Sequence, residues 1–189
     1  NWATLSNDNP EIILSDNAEK RSYENLFFQM EAGFWERLFI SAGINGNLTR
    51  FDYSDHFTEN GDQSGNHSYE PVLSPRLGLN FLILPQLSAF GNVSHGFSTP
   101  SFEETLLPEG EINPDIKPEN GWNFEAGFRT YFSEQLQMSV SYYRIYIRNL
   151  LVARRTGEDA YIGVNAGESL HPGLETEIKW SVWPTGNYP

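Results

Sequence analysis

The chain has 189 residues, a formal net charge of −13 and no cysteine. The charge argues against nucleic-acid binding, because proteins that bind nucleic acids cluster Lys and Arg to neutralise phosphates. The lack of Cys excludes disulfides and thiolate metal sites. No apolar run approaches the ~20 residues that a membrane helix needs, but membrane β-strands alternate and never show such a run. Membrane-spanning strands therefore stay open as an interpretation.

Strands are predicted wherever apolar and polar residues alternate with a period of two. Residues 1–22 are polar and are expected to be irregular. The predicted strands lie at residues 26–34, 38–49, 76–83, 87–94, 122–132, 136–142 and 174–182, with a weaker one at 160–165. Most of these about eight strands are about 9–13 residues long. That length suits tilted membrane strands of ~9–11 residues better than globular strands of ~5–6.

The two faces of the predicted strands differ in polarity. One face is almost purely apolar. The other carries charges in mid-strand, at Glu31, Glu125, Arg129, Glu175, Glu177 and Lys179. This distribution predicts lipid on one side and a wet or plugged lumen on the other.

The predicted connections alternate in length. Short ones lie near 35–37, 84–86, 133–134 and 166–172, and longer ones lie at 52–71, 98–120 and 149–159. Short turns on one rim and long loops on the other are typical of outer-membrane barrels, whose long loops lie outside the cell. In this scheme the last strand heads towards the long-loop rim, and the turn-like residues 184–189 follow it. We therefore expect residues 1–189 to be a partial barrel domain.

Six short motifs follow one another between residues 74 and 175. They are Ser74-Pro75-Arg76-Leu77, Gly96-Phe97 with Pro100-Ser101-Phe102, Asn113-Pro114, Lys117-Pro118-Glu119, Tyr142-Tyr143-Arg144-Ile145, and Asn165-Ala166-Gly167 with Gly173-Leu174-Glu175. In this order and at these spacings they resemble the distal barrel half of TonB-dependent outer-membrane receptors. The motifs mark strand openings, strand exits and turns, and the last one resembles a periplasmic turn. None of them is taken as a ligand contact.

The resemblance implies an all-β fold, namely an antiparallel transmembrane β-barrel segment of about eight strands from a roughly 22-stranded barrel with a plugged lumen. The plug domain, the segment that contacts TonB and the terminal strand would lie outside residues 1–189. The implied location is the outer membrane of a Gram-negative bacterium. The implied function is uptake of a scarce ligand, most often a ferric siderophore and in other members cobalamin, haem or oligosaccharides. Neither catalysis nor a cofactor is implied.

The partners that the resemblance implies are the TonB complex, reached through the plug, the small ligand, and outer-membrane lipid or lipopolysaccharide. Energy would come from the inner-membrane proton gradient through TonB. The first alternative is a passive outer-membrane porin or adhesin-type barrel without a plug. The second is a soluble carbohydrate-binding β-sandwich. A soluble eight-stranded barrel fits less well, because it would bury the mid-strand charges unpaired.

The charge of the long loops bears on the ligand. Loop 52–71 has acidic residues and neither Lys nor Arg, and loop 98–120 has six acidic residues against Lys117. Such loops repel anions within a Debye length of ~8 Å, so we expect no pocket for a strongly anionic catecholate complex there. Arg154 and Arg155, with Tyr161, are the candidate ligand-binding residues. The alternative is solvated loop charge, with divalent cations bridging to lipopolysaccharide.

Metal and catalytic sites have weaker support in the sequence. His56 and His67 share a long loop with several carboxylates, but their spacing matches no known ligand motif. They are the only metal candidates, and solvated loop residues are the alternative. Glu103 and Glu104 lie in a loop without an apolar frame, so general acid–base catalysis is not predicted there.

Overall fold

The structure is a computed structural model that describes residues 2–5, 13–57, 59, 61–107, 112–157 and 161–181. In chain order its elements are β1 (Trp2–Leu5), β2 (Ile13–Phe34), β3 (Leu38–Asp55), β4 (Gly65–Ser68), β5 (Val72–Leu84), β6 (Leu87–Ser98), α1 (Phe102–Thr105), β7 (Glu119–Ser133), β8 (Leu136–Arg148), β9 (Leu151–Arg155), β10 (Tyr161–Asn165) and β11 (Glu168–Trp180). The prediction of an all-β, antiparallel fold is confirmed. Across the described residues, no helix has the length and apolar character to cross a membrane.

Nine of the strands form one antiparallel sheet in the order β1-β2-β3-β5-β6-β7-β8-β11, with β4 added beside β3. Neighbours in this sheet are also neighbours along the chain, apart from the short β4 and the separate hairpin of β9 and β10. Such a meander needs only short-range connections. Within the described part of the chain β1 and β11 are the edges, so the sheet is an unclosed piece of a barrel wall.

The exposure of the sheet is inverted relative to that of a water-soluble protein. On β7, Phe124 and Phe128 are 46% and 57% exposed, whereas Glu125 between them is half-buried. We call the apolar face that bears Phe124 the outer face, and the opposite face that bears Glu125 the inner face. The register continues each face across the sheet. One outer row consists of Leu79, Gly91, Ala126 and Tyr142.

The inner face gathers the polar side chains and links them across strands. Asn92 Nδ2 donates to Glu125 Oε2 at 3.2 Å, and Gln29 Nε2 donates to Glu31 Oε1 at 2.7 Å. Arg76 donates from Nη2 to Gln29 Oε1. The predicted division into an apolar and a charged face is therefore confirmed.

Tight turns join the long strands on one rim. Trp35 and Glu36 connect β2 to β3 with φ values of 52° and 57°, the backbone of a type I′ hairpin turn. Arg37 N donates to Phe34 O at 3.1 Å to close this turn. The short connections predicted near 35–37, 84–86 and 133–134 are thus confirmed.

The prediction that residues 1–22 are irregular is wrong for the described part of that segment. β1 covers Trp2–Leu5, and β2 already begins at Ile13. Its first half pairs with the extended end of β3, from Asn17 opposite Asp55 onwards. Backbone pairing does not need alternating side chains. The polar sequence of this segment therefore shows no alternation from which the strand could be predicted.

The connection predicted at 166–172 is short, at 166–167, but its predicted bounds and the predicted direction of the last strand are wrong. β11 already begins at Glu168, which pairs with Arg148 at the end of β8. It runs to the short-turn rim, where Ser181 N donates to Gln135 O at 2.9 Å. The weak strand at 160–165 is β10, which pairs with β9 and with no other strand that the structure describes. Counting it as a spanning strand reversed the direction expected for β11. The predicted end at 184–189 lies outside the described residues.

Candidate functional site

The long-loop rim is where the inner face becomes buried. From Asn47 to Tyr53, β3 alternates strictly between buried inner-face and exposed outer-face residues. Asn47 Nδ2 donates to Asn25 Oδ1, and Thr49 Oγ1 donates to Asn47 Oδ1, both at 2.8 Å. Phe51 is 1% exposed. This extension of β2 and β3 forms one wall of the site.

Arg21 lies on that wall rather than in an irregular segment. Its guanidinium is 5.4 Å from the centre of the Phe51 ring, and Nε is 2.9 Å from Glu19 Oε1. The aromatic ring and the carboxylate both favour the charged form of Arg21. The wall therefore contains a cation that is already engaged by its neighbours.

Three connections meet at this rim, and we call their described residues together the loop cluster: 56–57, 59, 61–71, 99–107, 112–118, 149–157 and 161–167. Its centre is Thr105, which is fully buried. Tyr69 Oη lies 3.1 Å from Thr105 Oγ1, and Asn113 N donates to Thr105 O at 2.7 Å. Ile116 is buried as well, at 3% exposure. The connections thus form a small core of their own.

The helix α1 brings Thr105 to this position. Ser101 is its N-cap, and Glu104 N donates to Ser101 Oγ at 3.3 Å. Ser101 N in turn donates to Glu104 Oε2 at 2.7 Å. This is a capping box, in which two free N–H groups of the first turn are satisfied reciprocally. The Ser101-x-x-Glu104 spacing could have revealed the turn in the sequence.

The hairpin of β9 and β10 docks onto α1 and the segment after it. Asn113 Nδ2 donates to Gly163 O at 3.2 Å. A Cβ at Gly163 would lie 2.4 Å from Glu104 O, so only glycine permits this approach. Asn165 Nδ2 donates to Lys117 O at 2.9 Å, and Lys117 N donates to Asn165 Oδ1 at 2.9 Å. The motifs around Asn113, Lys117 and Asn165 are therefore joined in space.

The hairpin separates the candidate ligand-binding residues. Arg155 is paired with Tyr161 and shares its face, whereas Arg154 is paired with Ile162 and points to the other face. Tyr161 also shares its face with Gly163, the residue that contacts α1. Arg154, Arg155 and Tyr161 are all exposed. Their role as ligand contacts stays a prediction.

Several loop carboxylates are engaged in loop structure. Asp55 accepts hydrogen bonds from Phe57 N at 2.9 Å and from Gln63 N at 3.2 Å. Asp62 accepts from Ser64 N at 2.9 Å, and the hydrogen bonds from Ser64 lower the pKa of Asp62. The acidic residues thus shape these turns as well as making the rim negative.

The candidate metal ligands have different neighbours. His56 Nδ1 is 3.7 Å from Asp16 Oδ1, whereas the His67 ring contacts the Tyr69 ring edge-on at 4.7 Å. Among the residues that the structure describes, no group of three or more His, Asp or Glu side chains is placed to hold a metal ion. Metal binding by His56 or His67 stays untested.

Comparison with known protein families identifies one family whose model matches this chain. The family model described as TonB dependent receptor-like, beta-barrel matches residues 3–189. Among curated proteins, none matches the chain in sequence.

Solved structures share the fold at low sequence identity. The chain is similar to the alcaligin outer membrane receptor FauA from Bordetella pertussis, with 15% identity and a TM-score of 0.65, over 90% of this chain and 29% of that one. The FrpB iron transporter from Neisseria meningitidis has 16% identity and a TM-score of 0.68, over 90% of this chain and 25% of that one. The ferric yersiniabactin uptake receptor FyuA from Yersinia pestis has 15% identity and a TM-score of 0.65, over 93% of this chain and 27% of that one. The chain therefore spans between 25% and 29% of the length of these three structures.

Proposed function

The chain belongs to the TonB-dependent receptor-like β-barrel family, and from this membership we propose that its parent protein takes up a scarce ligand across the outer membrane. The family consists of receptors and transporters in the outer membrane of Gram-negative bacteria. The observation that carries the proposal is the inverted sheet, whose Phe124 and Phe128 are exposed while Glu125 is half-buried. Such a sheet suits lipid on its outer face and a polar lumen on its inner face.

The ligand class that we propose is a ferric siderophore complex. Two of the three relatives carry iron in their descriptions, one as an iron transporter and one as a receptor for ferric yersiniabactin. Uptake would depend on a plug domain in the lumen and on the TonB complex acting through it. The proposed role is transport without catalysis.

The outer-membrane iron role is tested by the abundance of the full-length receptor in isolated outer membranes. We expect strong induction in iron-starved cells relative to iron-replete cells. Constant abundance in the outer membrane would contradict the ferric ligand and favour cobalamin, glycans or passive diffusion. Recovery of the receptor in the soluble fraction would overturn the membrane role as well.

Within the ligand site, we propose that Arg155 and Tyr161 contact an anionic part of the ligand. They share the hairpin face that meets α1, and the rest of the loop cluster is mostly acidic. Arg154 lies on the opposite face and serves as a matched control.

The test uses ligand affinity of the full-length receptor. We expect Arg155→Ala to weaken binding by about tenfold or more, the size of one lost charge-assisted hydrogen bond. Arg154→Ala should change affinity little. If both variants bind as the unmodified receptor does, the anion contact is wrong, and these arginines are solvated loop charges.

A further inference from the structure

The outer face carries a charged side chain within an apolar row. That row crosses four strands through Leu77, Val93, Phe124 and Arg144. Arg144 is exposed, and it has no hydrogen-bond or ion-pair partner among the described residues. A cation that faces lipid is unfavourable unless it reaches the interface or meets an anion. This position therefore suits an anionic partner from outside the chain.

The surroundings of Arg144 place it just below the interface on the loop side. The next outer row towards the long-loop rim contains Trp122 and Tyr146, residue types that gather at membrane–water interfaces. One row further, Arg148 lies 3.4 Å from Glu168 through its Nε and 5.1 Å from the centre of the Tyr146 ring. Arg148 is thus balanced by Glu168, whereas Arg144 adds an uncompensated positive charge. A long arginine side chain can extend from this depth to the headgroup level.

Beside Arg144 the outer face has a groove of about 760 Å³. Its floor contains the small residues Gly91 and Ala126, which are opposite each other in the register. Larger residues flank this floor, among them Leu79, Phe124 and Tyr142. The groove is mostly apolar, and Arg144 lines the part nearest the long-loop rim together with Tyr146 and Leu170. An apolar groove with a cation in its rim-side wall is complementary to an acyl chain that carries an anionic head.

We propose that this groove and Arg144 bind one lipopolysaccharide molecule of the outer leaflet. An acyl chain lies over Gly91 and Ala126, and a phosphate of the lipid A head pairs with the Arg144 guanidinium. A guanidinium offers a fork of N–H donors that matches phosphate oxygens. The proposal rests on the outer-membrane location of the sheet, and it is independent of the ligand that the receptor transports.

The test measures lipopolysaccharide that remains bound to the full-length receptor after purification from outer membranes in mild detergent. We expect Arg144→Gln to lower the bound amount by about tenfold, as one lost charge-assisted contact would. Arg37→Gln makes the same chemical change at the exposed turn on the opposite rim and should retain the lipid. Equal retention by Arg144→Gln and the unmodified receptor would overturn the proposal.

A second variant tests the groove without changing charge. A Cβ at Gly91 meets Glu125 O at 3.6 Å, an ordinary contact distance, so Gly91→Leu should fold and fill the groove. We expect it to lose lipid to the same extent as Arg144→Gln. Loss with Gly91→Leu alone would mean that the groove holds an acyl chain without a phosphate contact, and the assignment of Arg144 would be wrong.

The unmodified receptor gives a measurement that does not depend on the folding of any variant. Lipid A and its dephosphorylated form are titrated against the delipidated full-length receptor. We expect lipid A to bind about tenfold more tightly, and equal binding would overturn the phosphate contact. Iron-regulated abundance and ligand uptake are measured separately, so a failed lipid site is distinguishable from a failed transport function.

Discussion

Tyr69 Oη and Thr105 Oγ1 are 3.1 Å apart, and this contact joins two long connections at the centre of the loop cluster. Thr105 Oγ1 also donates to Ser101 O at 2.6 Å. Because the single hydroxyl hydrogen of Thr105 points to Ser101, Tyr69 is the donor in the bond between them. The loop cluster is thus fixed by a directed chain of hydrogen bonds from Tyr69 to the start of α1.

Removing the acceptor of the bond between Tyr69 and Thr105 should destabilise the loop cluster more than removing its donor. In Thr105→Val the buried Tyr69 hydroxyl loses its acceptor, which costs about 1–3 kcal/mol. In Tyr69→Phe the Thr105 hydroxyl keeps its bond to Ser101, so the cost should be only about 0.5–1.5 kcal/mol. The measurement is hydrogen exchange of Asn113 N–H, which bonds to Thr105 O. Ser54→Ala, at an exposed position on β3, is the control. Equal effects of the two variants would contradict the assigned direction of the bond.

The loop cluster should loosen at alkaline pH. Burial raises the pKa of Tyr69 above its ordinary value of 10.0. A raised folded-state pKa means that the contribution is fully present below pH ~10 and is lost as the pH rises through the folded-state value. We therefore expect the protease resistance of the cluster to fall above pH ~10 in the unmodified receptor and less steeply in Tyr69→Phe. Tyr161→Phe, at an exposed tyrosine, should follow the unmodified receptor. Identical pH profiles for all three proteins would contradict a role for Tyr69.

The sheet could be predicted from the sequence because the alternation and the tight turns that define it depend on residues close together in the chain. Alternation along a strand reports which side chains share a face, and Phe124 with Phe128 against Glu125 shows this on a single strand. The tight turns are local too, since a three-residue connection such as 35–37 fixes its own strand pairing. These elements needed no knowledge of distant residues.

The rim of long loops could not be predicted in the same way because its contacts join residues far apart in the sequence. Gly163 meets Glu104, and Tyr69 meets Thr105. Alternation also does not show whether a short strand joins the main sheet, so it predicts β10 as a spanning strand. One feature was within reach of the sequence. Arg154 and Arg155 are adjacent on a strand, and adjacent strand residues point to opposite faces.

Gly163 should tolerate no side chain. A Cβ at this position would lie 2.4 Å from Glu104 O, which is a backbone atom that cannot rotate away. We expect Gly163→Ala to displace the hairpin from α1 and to destabilise its docking by about 1–3 kcal/mol, as overpacking does. Trypsin cleavage after Arg154 and Arg155 in intact outer membranes should then become faster.

The control for this variant is Gly96→Ala on β6. A Cβ at Gly96 meets nothing within 4 Å, so the same chemical change should leave trypsin cleavage of the hairpin unaltered. If Gly163→Ala is cleaved no faster than Gly96→Ala, the close approach of β10 to α1 is wrong.

The turn between β2 and β3 should be stabilised by residues that accept positive φ. Trp35 and Glu36 hold φ values of 52° and 57°, a conformation that costs about 1 kcal/mol per ordinary residue. Replacing Trp35-Glu36 by Asn-Gly should therefore raise the stability of the full-length receptor by about 1–2 kcal/mol. The measurement is the urea midpoint at which the receptor loses its folded mobility on unheated gels. Gln86→Gly, in a turn whose residues have no positive φ, should lower the midpoint, because glycine adds unfolded-state entropy there. An unchanged urea midpoint for the Asn-Gly variant would show that the Trp35 ring stabilises the receptor by as much as the backbone strain at Trp35 destabilises it.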